Sequence, residues 1–285
     1  MGKLATHSKT KEIIQKHDFR LTKSLGQNFL VDQNILDKIV QAAEVTKEDI
    51  VFEVGTGIGT LTHELAVRAK KVVAIEIDRA LIPILEETLS DVDNVEIVNQ
   101  DILKTDLKHL AQKFAEERSI KVVANLPYYI TTAIIMKFLE SNIRLDSFVL
   151  MIQKEVADRI TTKPSTKDYG SLTVAIQYYA QSELISKVPK NAFIPPPNVD
   201  SSVIRLRIRS ERGIQVRDEQ LFFKVIRGSF SKRRKTILNA LSTYEDFSKD
   251  IVIEALAKAG IDPKRRGETL TIDEFAKLTN SMCGE

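Results

Sequence analysis

Apolar residues recur at helical spacing over residues 33–44, where Ile35, Leu36, Ile39, Val40 and Ala43 share one face. That pattern predicts an amphipathic helix. The short apolar run Ile50-Val51-Phe52-Glu53-Val54 follows and predicts a strand. Gly55-Thr56-Gly57-Ile58-Gly59 then breaks the run, and Thr60 to Ala66 opens a second helix. The same alternation continues along the chain. Strands are expected at Lys71–Ile77, Val95–Val98, Ile120–Ala124 and Ser147–Gln153, with helices at 79–90, 107–118 and through Glu155 and Arg159. Strand alternating with helix at this rhythm predicts an α/β fold with a doubly wound, mostly parallel, Rossmann-like sheet. Leu172–Tyr179, Ala180–Val188 and Ser202–Ile208 read as its closing β segments. Beyond them the helical period dominates, at 219–228, 232–241, 251–259 and 272–278. Two domains are therefore expected: residues 1–210 around the sheet and a smaller, all-helical domain at 211–285, divided near 205–215.

The glycine loop carries the first chemistry. A dinucleotide fingerprint sets its third glycine three residues after the second, whereas here the glycines stand at 55, 57 and 59. A loop of this form lets its backbone pass close to a nucleoside without cradling a pyrophosphate. Glu53, just upstream, suits a cationic ligand and repels phosphate. The Glu-x-Gly-x-Gly-x-Gly pattern resembles motif I of the S-adenosylmethionine-dependent methyltransferases. Glu76 falls 21 residues after Gly55, at a strand end from which a carboxylate can accept both ribose hydroxyls. Asp101 ends the third strand and is placed to accept an adenine amino group. Taken singly, each acid is an ordinary solvated strand end. Acids at three successive strand ends, above one sheet edge, favour adenosylmethionine over a nicotinamide nucleotide.

At the end of the fourth strand stands Asn125-Leu126-Pro127-Tyr128. In an open α/β sheet, the carboxyl ends of strands are where ligands bind. Asn125 offers a carbonyl acceptor, and Pro127 restricts Leu126 to extended conformations that turn main-chain carbonyls outward. Tyr128 supplies a ring on which a base can stack. The set suits one task, holding the exocyclic amino group of a flat base. An adenine amino nitrogen is a poor nucleophile because its lone pair is delocalised. Acceptors at Asn125 and the Leu126 carbonyl would hold both N–H groups and help the nitrogen pyramidalise toward a methyl donor.

Two further segments narrow the reading: Leu25-Gly26-Gln27-Asn28-Phe29-Leu30 and Asn191-Ala192-Phe193-Ile194-Pro195-Pro196-Pro197-Asn198-Val199-Asp200-Ser201. With the glycine loop and Asn125–Tyr128, they make residues 20–275 resemble the rRNA adenine N6-dimethyltransferases, closest to the KsgA (RsmA) type. The resemblance implies a methyltransferase fold and S-adenosyl-L-methionine as methyl donor. It implies a cofactor pocket lined by Asn28, the Leu30 backbone, Gly55, Gly57, Glu76, Asp101 and Asn125. It implies catalysis at Asn125, Leu126, Pro127 and Tyr128, with Phe193 expected as the second face of a base sandwich around a flipped adenine. The implied substrate is a pair of adjacent adenosines in a hairpin near the 3′ end of 16S rRNA, in the small ribosomal subunit or its precursor.

Charge distribution fits such a partner better than the net charge of +3 does. Residues 206–285 hold 16 Lys and Arg against 12 Asp and Glu, and the remainder 26 against 27. A second basic excess lies within residues 1–23, which suggests a polyanion partner. Lys232, Arg233, Arg234 and Lys235 open an expected helix, and Lys264-Arg265-Arg266 an expected loop; both are natural phosphate contacts. The lone Cys283 fits a reducing cytoplasm, and the four scattered histidines lack ligand spacing, so no metal is expected. No apolar stretch is long enough to span a bilayer. The start, Met1 to Thr6, has no apolar signal segment and meets the loose myristoylation pattern only by chance. A monomer is expected. The rivals are an Erm-type 23S rRNA adenine methyltransferase, a non-catalytic ribosome-assembly factor and, more remotely, a nicotinamide-dependent dehydrogenase.

Overall fold

A computed structural model describes residues 4–22, 25–115, 118–210, 214–245 and 247–283. Its centre is a seven-stranded sheet in the order β4-β3-β2-β5-β6-β9-β7. The strands are β2 (Ile50–Val54), β3 (Lys71–Glu76), β4 (Val95–Asn99), β5 (Ile120–Asn125), β6 (Leu145–Gln153), β7 (Ala180–Val188) and β9 (Ser201–Ile208). All five residues of β2 are buried, as expected for a parallel strand covered on both faces. Its parallel neighbours are β3, with Val54 opposite Ile75, and β5, with Phe52 opposite Val122. The chain runs outward from β2 to β3 and β4, then returns to β5 and β6 on the other side. The carboxyl ends of β2 and β5 therefore flank the topological switch point, where open α/β sheets form a crevice. β9 closes antiparallel to β6.

The helices on this sheet have local causes. In α2 (Gln33–Ala43) the Asp32 carboxylate accepts the backbone N–H groups of Asn34 and Ile35, and Ile35, Leu36, Ile39, Val40 and Ala43 are buried as the period requires. The expected helix at 79–90 divides into a single 3₁₀ turn, Arg79–Leu81, and α4 (Ile82–Thr88). Pro83 is tolerated because it falls in the first turn, where an N–H has no intrahelical partner. α3 (Thr60–Ala66) and α5 (Leu107–Ala115) follow their strands as expected. α6 (Thr131–Glu140) and α7 (Lys154–Thr161) follow β5 and β6.

Four features differ from the sequence expectation. α1 (His7–Lys16) and its flanks place Ile13, with Leu4 before the helix and Phe19 after it, in one cluster with Phe29, Ile58, Leu81 and Ile84. A two-stranded ribbon pairs β1 (Phe29–Leu30) with β8 (Phe193–Ile194), Leu30 opposite Phe193. The expected β segment Leu172–Tyr179 is a helix, α8 (Ser171–Tyr179). Thr173, Val174, Ala175, Ile176, Tyr178 and Tyr179 are all buried there, so burial on nearly every side erased the helical period and left an apparent alternation. The expected helix at 232–241 is also shorter. α10 spans only Ile237–Leu241, started by the Thr236 cap, and residues 231–235 form the turn before it. The Lys-Arg-Arg-Lys run has no apolar face to bury, so nothing holds it as helix.

The chain forms two compact units, Met1–Ala157 with Glu183–Ile208, and Asp158–Ser182 with Arg209–Glu285. The excursion through 158–182 was not part of the expected division at 210/211. Its place in the second unit has a packing basis. Tyr178 lies 5.0 Å from Phe222 between ring centroids, Tyr179 stacks on Phe223, and the Tyr179 hydroxyl donates to Glu219 at 2.7 Å. That unit also contains α9 (Glu219–Phe230), α11 (Lys249–Ala259) and α12 (Ile272–Met282). Gly267 lets the turn before α12 touch α9, since a Cβ there would lie 2.6 Å from the Ser229 carbonyl oxygen. Gly267→Ala is expected to lower the melting temperature by about 3–10 °C in scanning calorimetry. Gly170→Ala, where an added Cβ meets nothing within 4 Å, should leave it nearly unchanged. Equal melting of the two variants would contradict this packing.

Candidate active site

The crevice at the switch point is a cleft with an empty volume of about 1260 Å³, counted to its open mouth. Asn28, Leu30, Gly55, Gly57, Glu76, Asp101, Asn125, Leu126, Pro127 and Tyr128 all line it, although they span a hundred residues of sequence. The three glycines of the loop are all in the left-handed region, with φ of +74°, +57° and +84°. At Gly57 a Cβ would also crowd the Phe29 ring, 3.0 Å away.

Asn125 is oriented from the Leu25–Leu30 segment. Its Nδ2 donates to the Asn28 carbonyl at 3.1 Å, which fixes the amide and leaves Oδ1 as acceptor. Asn28 is held in turn, its Nδ2 donating to the Gly26 carbonyl at 2.9 Å. Leu126 N–H donates to the Met151 carbonyl at 3.1 Å, anchoring the motif to β6. The Tyr128 hydroxyl bonds to Ser201 Oγ at the start of β9. Burial pushes the phenol above its ordinary value despite that bond, so the ring stays neutral.

Glu76 is a prepared acceptor. Its Oε1 accepts the Asp78 N–H at 2.9 Å, and its Oε2 accepts the Gly57 N–H at 3.2 Å and the Thr56 hydroxyl at 3.3 Å. Burial still raises its carboxyl above the usual range; those donors pull it down, and the Asp78 charge pushes it up. Asp101 accepts the Leu103 N–H at 2.9 Å through Oδ1. Glu53 differs from both. It is 1 % exposed, lines the cleft, and its Oε2 has no hydrogen-bond partner among the described residues. Burial drives its carboxyl well above the usual range; the nearby Thr62 hydroxyl opposes the shift and Glu76 adds to it.

Phe193 does not join the site. It is 1 % exposed, packs in the core with Leu30, Ile35 and Ile39, and is absent from the cleft wall. Its pairing with Leu30 in the β1–β8 ribbon accompanies that burial, so the expected base sandwich has no second wall at this ring. Tyr129 is the aromatic that sequence reasoning missed: it lines the cleft and is 58 % exposed. Lys232, Arg233, Arg234 and Lys235 are exposed, but on a turn rather than the expected helix start. Lys232 donates to Thr243 Oγ1 at 2.8 Å, and Arg233 to the Lys167 carbonyl at 2.5 Å. Arg265 is not a free phosphate contact. Its guanidinium binds both oxygens of Glu274, at 2.5 and 3.0 Å, and the Thr269 carbonyl at 2.6 Å, bracing the start of α12.

Residues 18–283 match the family model described as ribosomal RNA adenine dimethylase. The chain belongs to that family. A ribosomal RNA small subunit methyltransferase A from Clostridioides difficile (strain 630) is 55 % identical over 98 % of this chain and 97 % of its own length. Its counterpart from Bacillus cytotoxicus is 53 % identical over 99 % and 98 %. Among solved structures, a dimethyladenosine transferase from Plasmodium falciparum is 28 % identical with a TM-score of 0.75, covering 88 % of this chain and 95 % of that one. The 23S rRNA methyltransferase ErmE is 29 % identical with a TM-score of 0.69, covering 90 % and 99 %. The doubly wound sheet is thus the Rossmann-like methyltransferase sheet.

Within this dimethylase cleft, the raised Glu53 carboxyl has a consequence for stability. The native state holds that proton more tightly than the unfolded chain, so the native protein binds more protons between the unfolded and folded values. Stability from this group is full at low pH and is lost as pH rises through that window. Glu53→Gln removes the dependence. The variant without ligand should melt above wild type by a few degrees at pH 8, and by less at pH 5. A gap that stays constant with pH, measured by calorimetry, would show that Glu53 ionises normally.

Proposed function

We propose that the protein is an S-adenosyl-L-methionine-dependent methyltransferase that dimethylates N6 of two adjacent adenosines in a hairpin near the 3′ end of 16S rRNA. The reaction belongs to biogenesis of the small ribosomal subunit, and the enzyme acts as a monomer in the cytoplasm. One observation carries the reading: a single cleft is walled by the Asn125–Tyr128 acceptor motif and by Glu76 and Asp101. A base-recognition motif and a nucleoside-recognition set therefore open into the same space.

Each residue has a task in that space. Glu76, its orientation set by the Asp78 and Gly57 N–H groups, accepts the ribose hydroxyls of the cofactor, and Asp101 accepts its adenine amino group. The glycine loop lets backbone approach the rest of that molecule. When bound, the cofactor supplies a methyl group on a positively charged sulfur. Asn125 Oδ1 and the Leu126 carbonyl accept the two N–H bonds of the target adenine, drawing its lone pair out of conjugation. Tyr128, tethered through Ser201, offers the stacking face. Asn125 has no basic group, so the proton leaves to water after transfer. Orientation and fixed dipoles carry the acceleration.

The small-subunit assignment is supported by the relatives above 50 % identity, which bear that name. The fold alone does not separate it from a large-subunit enzyme, because ErmE also shares it. Incubation with labelled adenosylmethionine and either undermethylated small subunits or large subunits is expected to label small-subunit RNA alone. Label confined to large-subunit RNA would transfer the assignment to the Erm type. In the same assay Asn125→Ala should lower turnover about 100-fold or more while RNA affinity holds. Near-normal turnover would remove Asn125 from the chemistry. Replacing Lys232, Arg233 and Arg234 with Glu should weaken RNA binding and flatten its salt dependence. An unchanged salt slope would place the phosphate contacts elsewhere.

A further inference from the structure

The cleft holds three acids, Glu53, Glu76 and Asp101, and among the described residues no Lys, Arg or His lines it. The two glutamates are not equivalent. Glu76 on β3 accepts two backbone N–H groups and a hydroxyl, which favour its charged form. Glu53 on β2 has an oxygen, Oε2, with no partner among the described residues in a fully buried position; the Thr62 hydroxyl on α3 is the polar side chain beside it. The groups around it offer no positive charge. α2 contributes apolar Ile39, β5 contributes neutral Asn125, and β3 contributes Glu76 with Asp78 beyond it. His63 on α3 is paired with Asp91, 3.1 Å away. A buried carboxyl that meets only the Thr62 hydroxyl, beside a second carboxylate that accepts two backbone N–H groups, is the one that keeps its proton.

We propose that Glu53 carries a proton in the empty cleft and releases it to solvent when the cationic cofactor enters, so that its new negative charge faces the ligand. The inference rests on adenosylmethionine being the ligand. That molecule carries a sulfonium and an ammonium against one carboxylate, and its net positive charge beside Glu53 favours the ionised form of that buried acid. The chemical change is a single O–H bond broken at Glu53, its proton passing to buffer. The protonated form keeps the unliganded cleft from burying two adjacent negative charges. The ionised form makes the cleft complementary to a cation and unfavourable to an anionic nucleotide. Cofactor affinity then rises with pH, by up to about tenfold per pH unit, until Glu53 is already ionised without ligand.

Titration calorimetry of the full chain with adenosylmethionine, in phosphate and in Tris at one pH, reads the protons exchanged. The wild type is expected to release close to one proton. Glu53→Gln should bind more weakly, with little proton release and a flat pH profile. Glu76→Gln should bind weakly yet still release its proton. Isotope-edited difference infrared spectroscopy of the wild type, which needs no variant to fold, should show a protonated carboxyl band lost on binding. Wild-type binding with no proton release, or undiminished release from Glu53→Gln, overturns the proposal while leaving the cofactor assignment intact. Absence of any adenosylmethionine binding by the wild type overturns both.

Discussion

The parallel pairing of β2 with β5 is the constraint on which the rest of the structure depends. These strands are separated in sequence by three helices and two strands, yet Ile50 lies opposite Ile120 and Phe52 opposite Val122. Because the chain leaves β2 in one direction and returns to β5 from the other, no connection covers the space above their carboxyl ends. Gly55 and Asn125 face each other there; a Cβ at Gly55 would come within 3.7 Å of the Asn125 carbonyl oxygen. The proposed methyl-donor and methyl-acceptor sites adjoin because two backbones part at this point. A shift of β5 by one residue would turn the motif to the opposite face of the sheet.

Much of this was legible in the sequence, for a definite reason. β2 and β5 are short apolar runs ended by glycine or by Asn-Leu-Pro, and burial on both faces leaves no competing pattern. Where burial has a different geometry, legibility fails. α8 is buried nearly all round, so Leu172, Val174, Ile176 and Tyr178 imitate a strand. The β1–β8 ribbon has two residues per strand, too few to show any period. Phe193 sits in a segment whose composition suits a binding wall, but its neighbours in space make it a core residue. The cations at 232–235 were visible as charge, whereas their backbone depends on a cap at Thr236 and on the absence of an apolar face.

The electrostatics of the cleft were the least legible part. Glu53, Glu76 and Asp101 look alike in sequence: each is an acid at or near the end of a strand. Their environments separate them. Glu76 receives backbone donors from two loops, Asp101 receives one from its own turn, and Glu53 receives none at Oε2. The difference lies in contacts made by residues distant in sequence, chiefly the left-handed turn at Gly57. The same carboxyl group can thus be a fixed anion or a proton carrier according to what the surrounding backbone offers it.

The β1–β8 ribbon also has a bearing on the order in which the molecule becomes complete. Phe29 and Leu30 emerge early in synthesis, but their strand partners, Ile194 and Phe193, come 165 and 163 residues later. Until then the early motif has no ladder to join, and the Asn28 carbonyl that orients Asn125 belongs to a segment held only by the packing of Phe29 and the Gln27–Asp78 bond. A nascent chain can therefore assemble most of its parallel sheet before its cleft acquires a fixed wall. Competence arrives late, after most of the sheet already exists.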